Sequence, residues 1–230
     1  MKGEQLALSV QLRSTASFDT YFAGPNAPVV AALRGIADAP AGGSLLFGPD
    51  GVGKTHLLQA TARAAQQRGL RVVYLPLGNF GDADPAETVD GIDTLDLLAL
   101  DDIDAVAADP DWAFALIRLI DRLRSEQRRW LISAAAAPER ITCALPDLRT
   151  RLEQAARYGL RTLADADRSQ WLRDNAQARG LELPDEVARW LINHLPRDAA
   201  SLVAALERLD RASLSAKRRL TLPFVQKTLG

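Results

Sequence analysis

The feature that most constrains the fold is a glycine-rich segment that lies between an apolar run and a helical stretch. Its glycines allow the backbone to turn with the N–H groups pointing inward, and it ends in a lysine and a threonine. The G-x-x-x-x-G-K-T spacing is that of a phosphate-binding loop, which requires a strand before it and a helix after it. The segment consists of Gly48, Pro49, Asp50, Gly51, Val52, Gly53, Lys54 and Thr55. It predicts a chain that binds the phosphates of ATP or ADP.

Two side chains of this loop have specific expected roles. Lys54 is expected to reach the terminal phosphates, and the Thr55 hydroxyl is expected to ligate Mg²⁺. Lys54 is also the only lysine between Lys2 and Lys217, a span in which arginine supplies the other positive charges. A lysine therefore occurs there only where phosphate chemistry favours it.

Strand-like and helix-like stretches alternate from residue 16 to residue 163, and only helical patterns follow. This order predicts an α/β fold with a mostly parallel sheet and then a small all-helical domain. We expect a tail at residues 1–15, a nucleotide-binding base domain at 16–163 and a helical lid at 164–230. The predicted strands are Ser44–Phe47, Arg71–Leu77, Leu95–Leu100, Arg129–Ser133 and Tyr158–Leu163.

Helix boundaries follow from apolar periodicity and from start and stop residues. Gly69 is expected to end the first long helix, and the sequence from Asp167 to Gln170 resembles a capping box. The tail from Arg219 is expected to be extended, with a last half-buried turn. The predicted helices are Lys54–Arg68, Pro110–Arg128, Asp167 to Gly180, one beginning at Pro184, and one containing Leu202 to Leu209.

A pair of carboxylates follows the apolar run at Leu95–Leu100. A buried parallel strand that ends in Asp101 and Asp102 is the arrangement in which one carboxylate serves Mg²⁺ and the next activates water. We expect Asp101 to act on the metal directly or through water, and Asp102 to orient or deprotonate an attacking water.

Composition limits the class of protein. The formal net charge is −1, which argues against a chain whose main task is to neutralise nucleic-acid phosphates. Cys143 is the only cysteine, so no intrachain disulfide forms, as is typical of a reducing cytoplasm. No apolar run approaches the length needed to span a membrane. We expect a soluble cytoplasmic protein that does not enter membranes.

Several motifs together resemble the ATPase core of the bacterial replication initiator DnaA, a member of the AAA+ class. They are Ser17–Phe22, the phosphate loop with the following His56–Leu58, Leu100–Ile103 and Leu145–Leu152. The resemblance implies an AAA+ fold and a nucleotide site to which Phe18, Tyr21 and His56 contribute, although the position of His56 also suits a packing or capping residue. DnaA carries further N-terminal and C-terminal domains, for which this chain is expected to have no room.

Within that class the chain is most similar to the Hda family of DnaA-like regulators. The stretches 209–213 and 220–225 resemble the lid of that family, and the N-terminal lead resembles the motif by which bacterial proteins bind the replicative sliding clamp. In that motif Gln5 would hydrogen-bond at the pocket rim while Leu6, Leu8 and Val10 fill an apolar groove. An accidental apolar lead is the alternative. The resemblance implies ATP-bound DnaA and the sliding clamp as partners, DNA only as an indirect partner, and a possible homo-oligomer.

The same resemblance implies that Arg151 is an arginine finger, which is an arginine that enters the nucleotide site of a neighbouring subunit. It would act in trans on DnaA-bound ATP and leave inactive ADP–DnaA. We expect it on the turn before the last strand; Arg149 is the competing residue, and a plain surface arginine is the alternative.

Two positions depart from the pattern of the relatives. Ala135 and Ala200 replace residues that sense the γ-phosphate, and Ser133 is then the remaining side chain near the strand end that could bond a phosphate or the lytic water. These replacements predict stable nucleotide binding with weak intrinsic hydrolysis.

Other functions remain open at this point. A helicase-loader-like ATPase acting on single-stranded DNA would require intact sensor residues and a basic, aromatic-lined channel. A nucleotide kinase would want a cluster of arginines in its lid. Neither feature is evident in the sequence.

Overall fold

The computed structural model of the chain describes residues 16–196, 199–216 and 218–229. This part of the chain forms two compact units. The first contains residues 16–18 and 26–162, and the second contains residues 19–25 and 163–229. The sequence places the domain boundary between residues 163 and 164, and the structure divides the units between residues 162 and 163. The short segment 19–25 belongs to the helical unit, although it lies in the N-terminal part of the sequence.

The first unit is built on a five-stranded sheet in which every neighbouring pair of strands is parallel. The spatial order is β2-β3-β4-β1-β5, so β1 lies between two strands that follow it in sequence. The strands are β1 at Gly42–Phe47, β2 at Val72–Pro76, β3 at Leu97–Asp101, β4 at Arg129–Ala134 and β5 at Ala156–Gly159. The carboxyl ends of β1, β3 and β4 meet at one edge of the sheet, as parallel pairing requires.

Five helices connect or flank these strands. They are α1 at Ala27–Arg34, α2 at Lys54–Gln67, α3 at Pro85–Thr88, α4 at Pro110–Ser125 and α5 at Pro146–Glu153. α4 begins after Asp109, whose carboxylate accepts hydrogen bonds from the N–H groups of Asp111 and Trp112. Its apolar stripe packs Trp112, Leu116 and Ile120 into the core between this helix and the sheet.

The second unit contains α6 at Asp165–Ala178, α7 at Asp185–His194, α8 at Ala199–Ala216 and α9 at Leu222–Leu229. It has its own apolar core, in which Leu172, Val187, Leu191, Leu206 and Val225 are buried. The predicted α/β base followed by a helical C-terminal part is confirmed.

Some predicted boundaries were wrong. The last strand is Ala156–Gly159 rather than Tyr158–Leu163, because its pairing with β1 sets its register and its own sequence has no apolar run. α6 begins two residues before Asp167, whose carboxylate instead accepts the N–H of Ala164. Pro184 precedes α7 rather than beginning it. In the tail, residues 218–221 are not helical, but the expected last turn is a longer helix, α9, in which Pro223 is tolerated because it lies in the first turn.

None of the helices among the described residues is both long enough and apolar enough to cross a lipid bilayer.

Candidate nucleotide site

The predicted phosphate loop joins the carboxyl end of β1 to the first turn of α2. Gly51 and Gly53 have φ angles of +74° and +96°, in the left-handed region that only glycine adopts without strain. Gly53 is the residue that precedes α2. The fourteen residues of α2 therefore point their N-terminal N–H groups and the positive end of the helix dipole at the loop.

Gly48 is required for a different reason, which is close packing. A Cβ atom at this position would lie 2.9 Å from the backbone oxygen of Leu160 and 3.1 Å from the Leu160 side chain. The Gly48 N–H also donates to the backbone oxygen of Ala134 at the end of β4. The loop is thus held against the ends of both strands that flank β1.

The ammonium group of Lys54 lies within the loop. The side chain is only 6% exposed, and Nζ donates to the backbone oxygen of Gly48 at 2.9 Å. It also lies 3.4 Å from both the Pro49 oxygen and an Asp50 carboxylate oxygen. Thr55, in the next position, is half-buried. A buried cation and the N-terminal N–H groups of α2 together form a donor set suited to an anion.

Asp101 ends β3 and is 1% exposed. Tyr74 of β2 donates its hydroxyl hydrogen to Oδ2 at 2.7 Å, and Ser133 of β4 donates to Oδ1 at 2.5 Å. The two neighbouring strands thus each supply a hydroxyl that satisfies the buried carboxylate. Burial, reinforced by Asp101, raises the pKa of the Tyr74 phenol well above its ordinary value. Tyr74 was not among the predicted site residues; its signal in the sequence is a polar group within an otherwise apolar strand.

Asp102 has a different environment from its neighbour. Its φ of +56° is in the left-handed region, the residue is exposed, and its N–H donates to Ser133 Oγ at 2.8 Å. Partial burial and then the charge of Asp101 raise the pKa of the Asp102 carboxyl, against the opposing effect of Lys54. A raised pKa makes this carboxylate a better proton acceptor, as a base that activates water requires.

Ser133 is fully buried between the two aspartates. Its one hydrogen goes to Asp101, and its oxygen accepts the N–H of Asp102. The predicted contact with a γ-phosphate or lytic water would require that hydrogen to leave Asp101. The next position of interest, Ala135, has its backbone N–H bonded to the carboxylate of Asp104 at 2.6 Å.

The residues assigned to the nucleotide by family resemblance are distributed over both units. Phe18 is buried in the first unit, with the Arg34 guanidinium 5.0 Å from its ring centroid. His56, in the first turn of α2, places Nε2 2.7 Å from the backbone oxygen of Ser17. His56 thereby anchors the chain that leads to Phe18, which agrees with a packing role. Tyr21 is half-buried and belongs to the second unit.

Arg151 lies in the last turn of α5 and not in a turn before the last strand. It lines a cavity of about 460 Å³ together with Gly42 and Gly43, which begin β1. The phosphate loop follows the opposite end of that strand, about 15–20 Å away for a strand of this length. The structure thus brings together the loop, Asp101, Asp102 and Ser133, but it places Arg151 apart from them.

Some predicted residues lie outside the described part of the chain. They are the four of the clamp motif, Gln5, Leu6, Leu8 and Val10. The side chain of Ala200, which is expected to replace a sensor residue, is likewise not described.

Comparisons with known families match both units. Residues 12–161 match the sequence profile of the bacterial DnaA ATPase domain, and residues 165–229 match that of the Hda lid domain. The first match covers more than half of the chain. The resemblance inferred from the sequence motifs is therefore confirmed.

Solved structures support the same fold. The replication initiator DnaA bound to AMPPCP and single-stranded DNA is 19% identical, with a TM-score of 0.71 over 90% of this chain and 69% of that one. Domain III of Thermotoga maritima DnaA is 20% identical, with a TM-score of 0.69 over 95% of this chain and 97% of that one. The Thermotoga maritima RuvB branch migration motor is 17% identical, with a TM-score of 0.62 over 95% and 72% of the two chains.

Proposed function

The chain belongs to the family of the bacterial DnaA ATPase domain, with a lid of the Hda type, and from this we propose that it regulates replication initiation by inactivating DnaA. In this proposal it binds ADP or ATP with Mg²⁺ in its own phosphate loop. It then supplies Arg151 to ATP-bound DnaA, whose ATP is hydrolysed to give ADP–DnaA. The observation that carries the proposal is the position of Arg151, held apart from the chain's own loop.

The donor set of the loop supports nucleotide binding. The N-terminus of α2 and the Lys54 ammonium would hold phosphate oxygens, and Thr55 with Asp101 would hold Mg²⁺, which supplies positive charge beside the phosphates when it is bound. Both oxygens of Asp101 already accept a hydroxyl hydrogen and the side chain is buried. We therefore assign Asp101 a contact with the metal through water rather than a direct bond.

Weak intrinsic hydrolysis is part of the proposal. Asp102 is suited to act on water, because it is exposed and its pKa is raised. However, the hydrogen of Ser133 is engaged by Asp101, and Ala135 offers no polar side chain. The site then holds nucleotide without the groups that would sense its terminal phosphate, and the nucleotide acts mainly to stabilise the partner-competent fold.

Arg151 supplies the catalytic contribution to the partner. A fixed positive charge at the transferred phosphoryl group offsets the charge that develops there, an effect of roughly 10³–10⁵ in rate for well-studied arginine fingers. Recruitment by the sliding clamp through Gln5, Leu6, Leu8 and Val10 would raise the local concentration of the regulator near replicated DNA. DNA is then an indirect partner, and self-association of the chain is a further part of the proposal.

The test is hydrolysis of DnaA-bound ATP in the presence of clamp loaded on DNA. Wild type should stimulate hydrolysis, and Arg151→Ala should lower the stimulated rate by at least about 100-fold. Arg149→Ala is the matched control, because Arg149 is exposed on the same helix and pairs only loosely with Glu153. Gln5→Ala should lower stimulation only when clamp is present. Equal stimulation by wild type and Arg151→Ala would contradict the proposal.

A further inference from the structure

The guanidinium group of Arg151 is held on two sides by its own chain. Nε lies 2.9 Å from Oδ1 of Asp121, and Nη2 lies 2.7 Å from Oδ2 of the same carboxylate. This is the bidentate geometry in which an arginine and a carboxylate form their strongest and most directional pair. A third bond joins Nη1 to the backbone oxygen of Asp147 at 3.1 Å, one turn earlier in α5.

These bonds leave one edge of the guanidinium free for an incoming group. A guanidinium carries five N–H hydrogens, and three of them are used by Asp121 and Asp147. Of the remaining two, one is on Nη1 and one is on Nη2, and these nitrogens form the terminal edge of the group. Within the described part of the chain, neither hydrogen has an acceptor. A phosphate oxygen pair can therefore bind this edge while the bonds to Asp121 and Asp147 persist.

The location of the pair agrees with an incoming oxyanion. Arg151 lines the cavity at the amino end of β1 together with two further guanidinium groups, that of Arg124, which bonds the Gln154 side chain, and that of Arg128, which pairs with Asp96. Asp121 is on α4, whereas Arg151 is on α5, so the pair ties the guanidinium to a second, independent element of the base. The side chain of Arg151 is 22% exposed and that of Asp121 is 47% exposed. The arginine is thus mostly covered but still reachable.

We propose that Asp121 is the positioning residue for Arg151: it fixes the guanidinium with its terminal edge outward, ready for the phosphoryl group of a partner's nucleotide. This inference rests on the proposed function. An unsupported arginine has to be immobilised at the moment of reaction, whereas a guanidinium held by Asp121 has already lost that freedom. Asp121 touches neither nucleotide nor partner in this arrangement and acts only through Arg151.

The test compares stimulated ATP hydrolysis by DnaA over a range of regulator concentrations for wild type, Asp121→Asn and Asp121→Glu. Asp121→Asn keeps the size of the side chain but loses the charge and one acceptor. It should lower the rate at saturation by about 2- to 10-fold, the cost of ordering one long side chain, with an unchanged half-saturating concentration. Asp121→Glu restores a two-pronged carboxylate and should recover most of the rate.

Asp38→Asn is the matched control, because Asp38 forms a similar exposed pair with Arg68, 3.0 Å away, on the same unit. Asp38→Asn should leave the rate at saturation and the half-saturating concentration unchanged. The melting temperatures of Asp38→Asn and of Asp121→Asn should both stay close to that of wild type.

Three results would overturn the inference. If Asp121→Asn leaves the saturating rate at the wild-type value while Arg151→Ala abolishes stimulation, Asp121 does not position the arginine but the proposed function stands. If Asp121→Asn is faster than wild type, the carboxylate restrains Arg151 instead of preparing it. If Arg151→Ala itself stimulates like wild type, the proposed function fails and this inference fails with it.

Discussion

The hydrogen bond between Tyr74 and Asp101 gives a quantitative prediction for Tyr74→Phe. The substitution removes one oxygen and leaves the ring in place, so it removes the bond to a carboxylate that is 1% exposed, together with the contact of the same hydroxyl with Gln59. Hydrogen bonds to charged groups contribute about 1.5–3 kcal/mol to stability. We therefore expect Tyr74→Phe to be less stable than wild type by about that amount at pH 7, without nucleotide.

The difference in stability between wild type and Tyr74→Phe should also depend on pH. The pKa of Tyr74 is raised above its ordinary value of 10.0 by burial and by Asp101, so the folded protein keeps the phenol proton where the unfolded chain loses it. The stabilisation that the Tyr74 phenol contributes is complete below pH 10, and it is lost as the pH rises from there through the pKa of the folded protein. A single proton changes stability by about 1.4 kcal/mol per pH unit. Because half of the unfolded chains have already lost the phenol proton at pH 10, the gap between wild type and Tyr74→Phe should narrow by about 1 kcal/mol from pH 10 to pH 11.

Urea unfolding followed by backbone circular dichroism, at pH 7 and across pH 9–11, measures both quantities. Tyr158→Phe is the matched control, since Tyr158 is on β5 at the opposite edge of the sheet from β2. A Tyr74→Phe variant that is as stable as wild type at pH 7, or a gap that stays constant up to pH 11, would refute the assignment of the bond.

Three further predictions concern other parts of the structure. Gly43→Ala would place a Cβ 1.9 Å from the ring of Trp130 and should lower the melting temperature by an amount equivalent to about 1–3 kcal/mol of stability. Gly81→Ala is the control, because a Cβ at that position meets no atom within 4 Å, and it should leave the melting temperature unchanged. Leu206→Ala removes a fully buried side chain from the lid core, and hydrogen exchange in residues 163–229 should report a loss of about 2–5 kcal/mol. Asp102→Asn should keep the ADP affinity within about twofold but lower single-turnover hydrolysis without a partner by about 10²-fold.

The sequence predicted those features that depend on local pattern. The phosphate loop follows from glycine spacing, and β1, β3 and β4 follow from apolar runs, since both signals act within a few residues. β5 was misplaced because Ala156–Gly159 has no such run and becomes a strand only by pairing with β1. A strand specified mainly by its neighbour leaves little trace in its own residues.

The parts of the site that were not predicted are contacts between elements distant in sequence. The hydroxyls of Tyr74 and Ser133 approach Asp101 from strands 27 and 32 residues away, and Asp121 meets Arg151 across 30 residues. No local periodicity encodes such pairs. Ser133 and, through the family resemblance, Arg151 were predicted as site residues, but only the fold shows which partner each one holds.

The most direct test of the account is calorimetric titration of ADP and ATP, with and without Mg²⁺, into nucleotide-free wild type and Lys54→Ala. Lys54 is the buried cation of the loop, so its removal should weaken binding of both nucleotides by at least about tenfold. We predict saturable binding of one adenine nucleotide to wild type. A wild-type protein that binds neither nucleotide under any metal condition would contradict the account at its foundation.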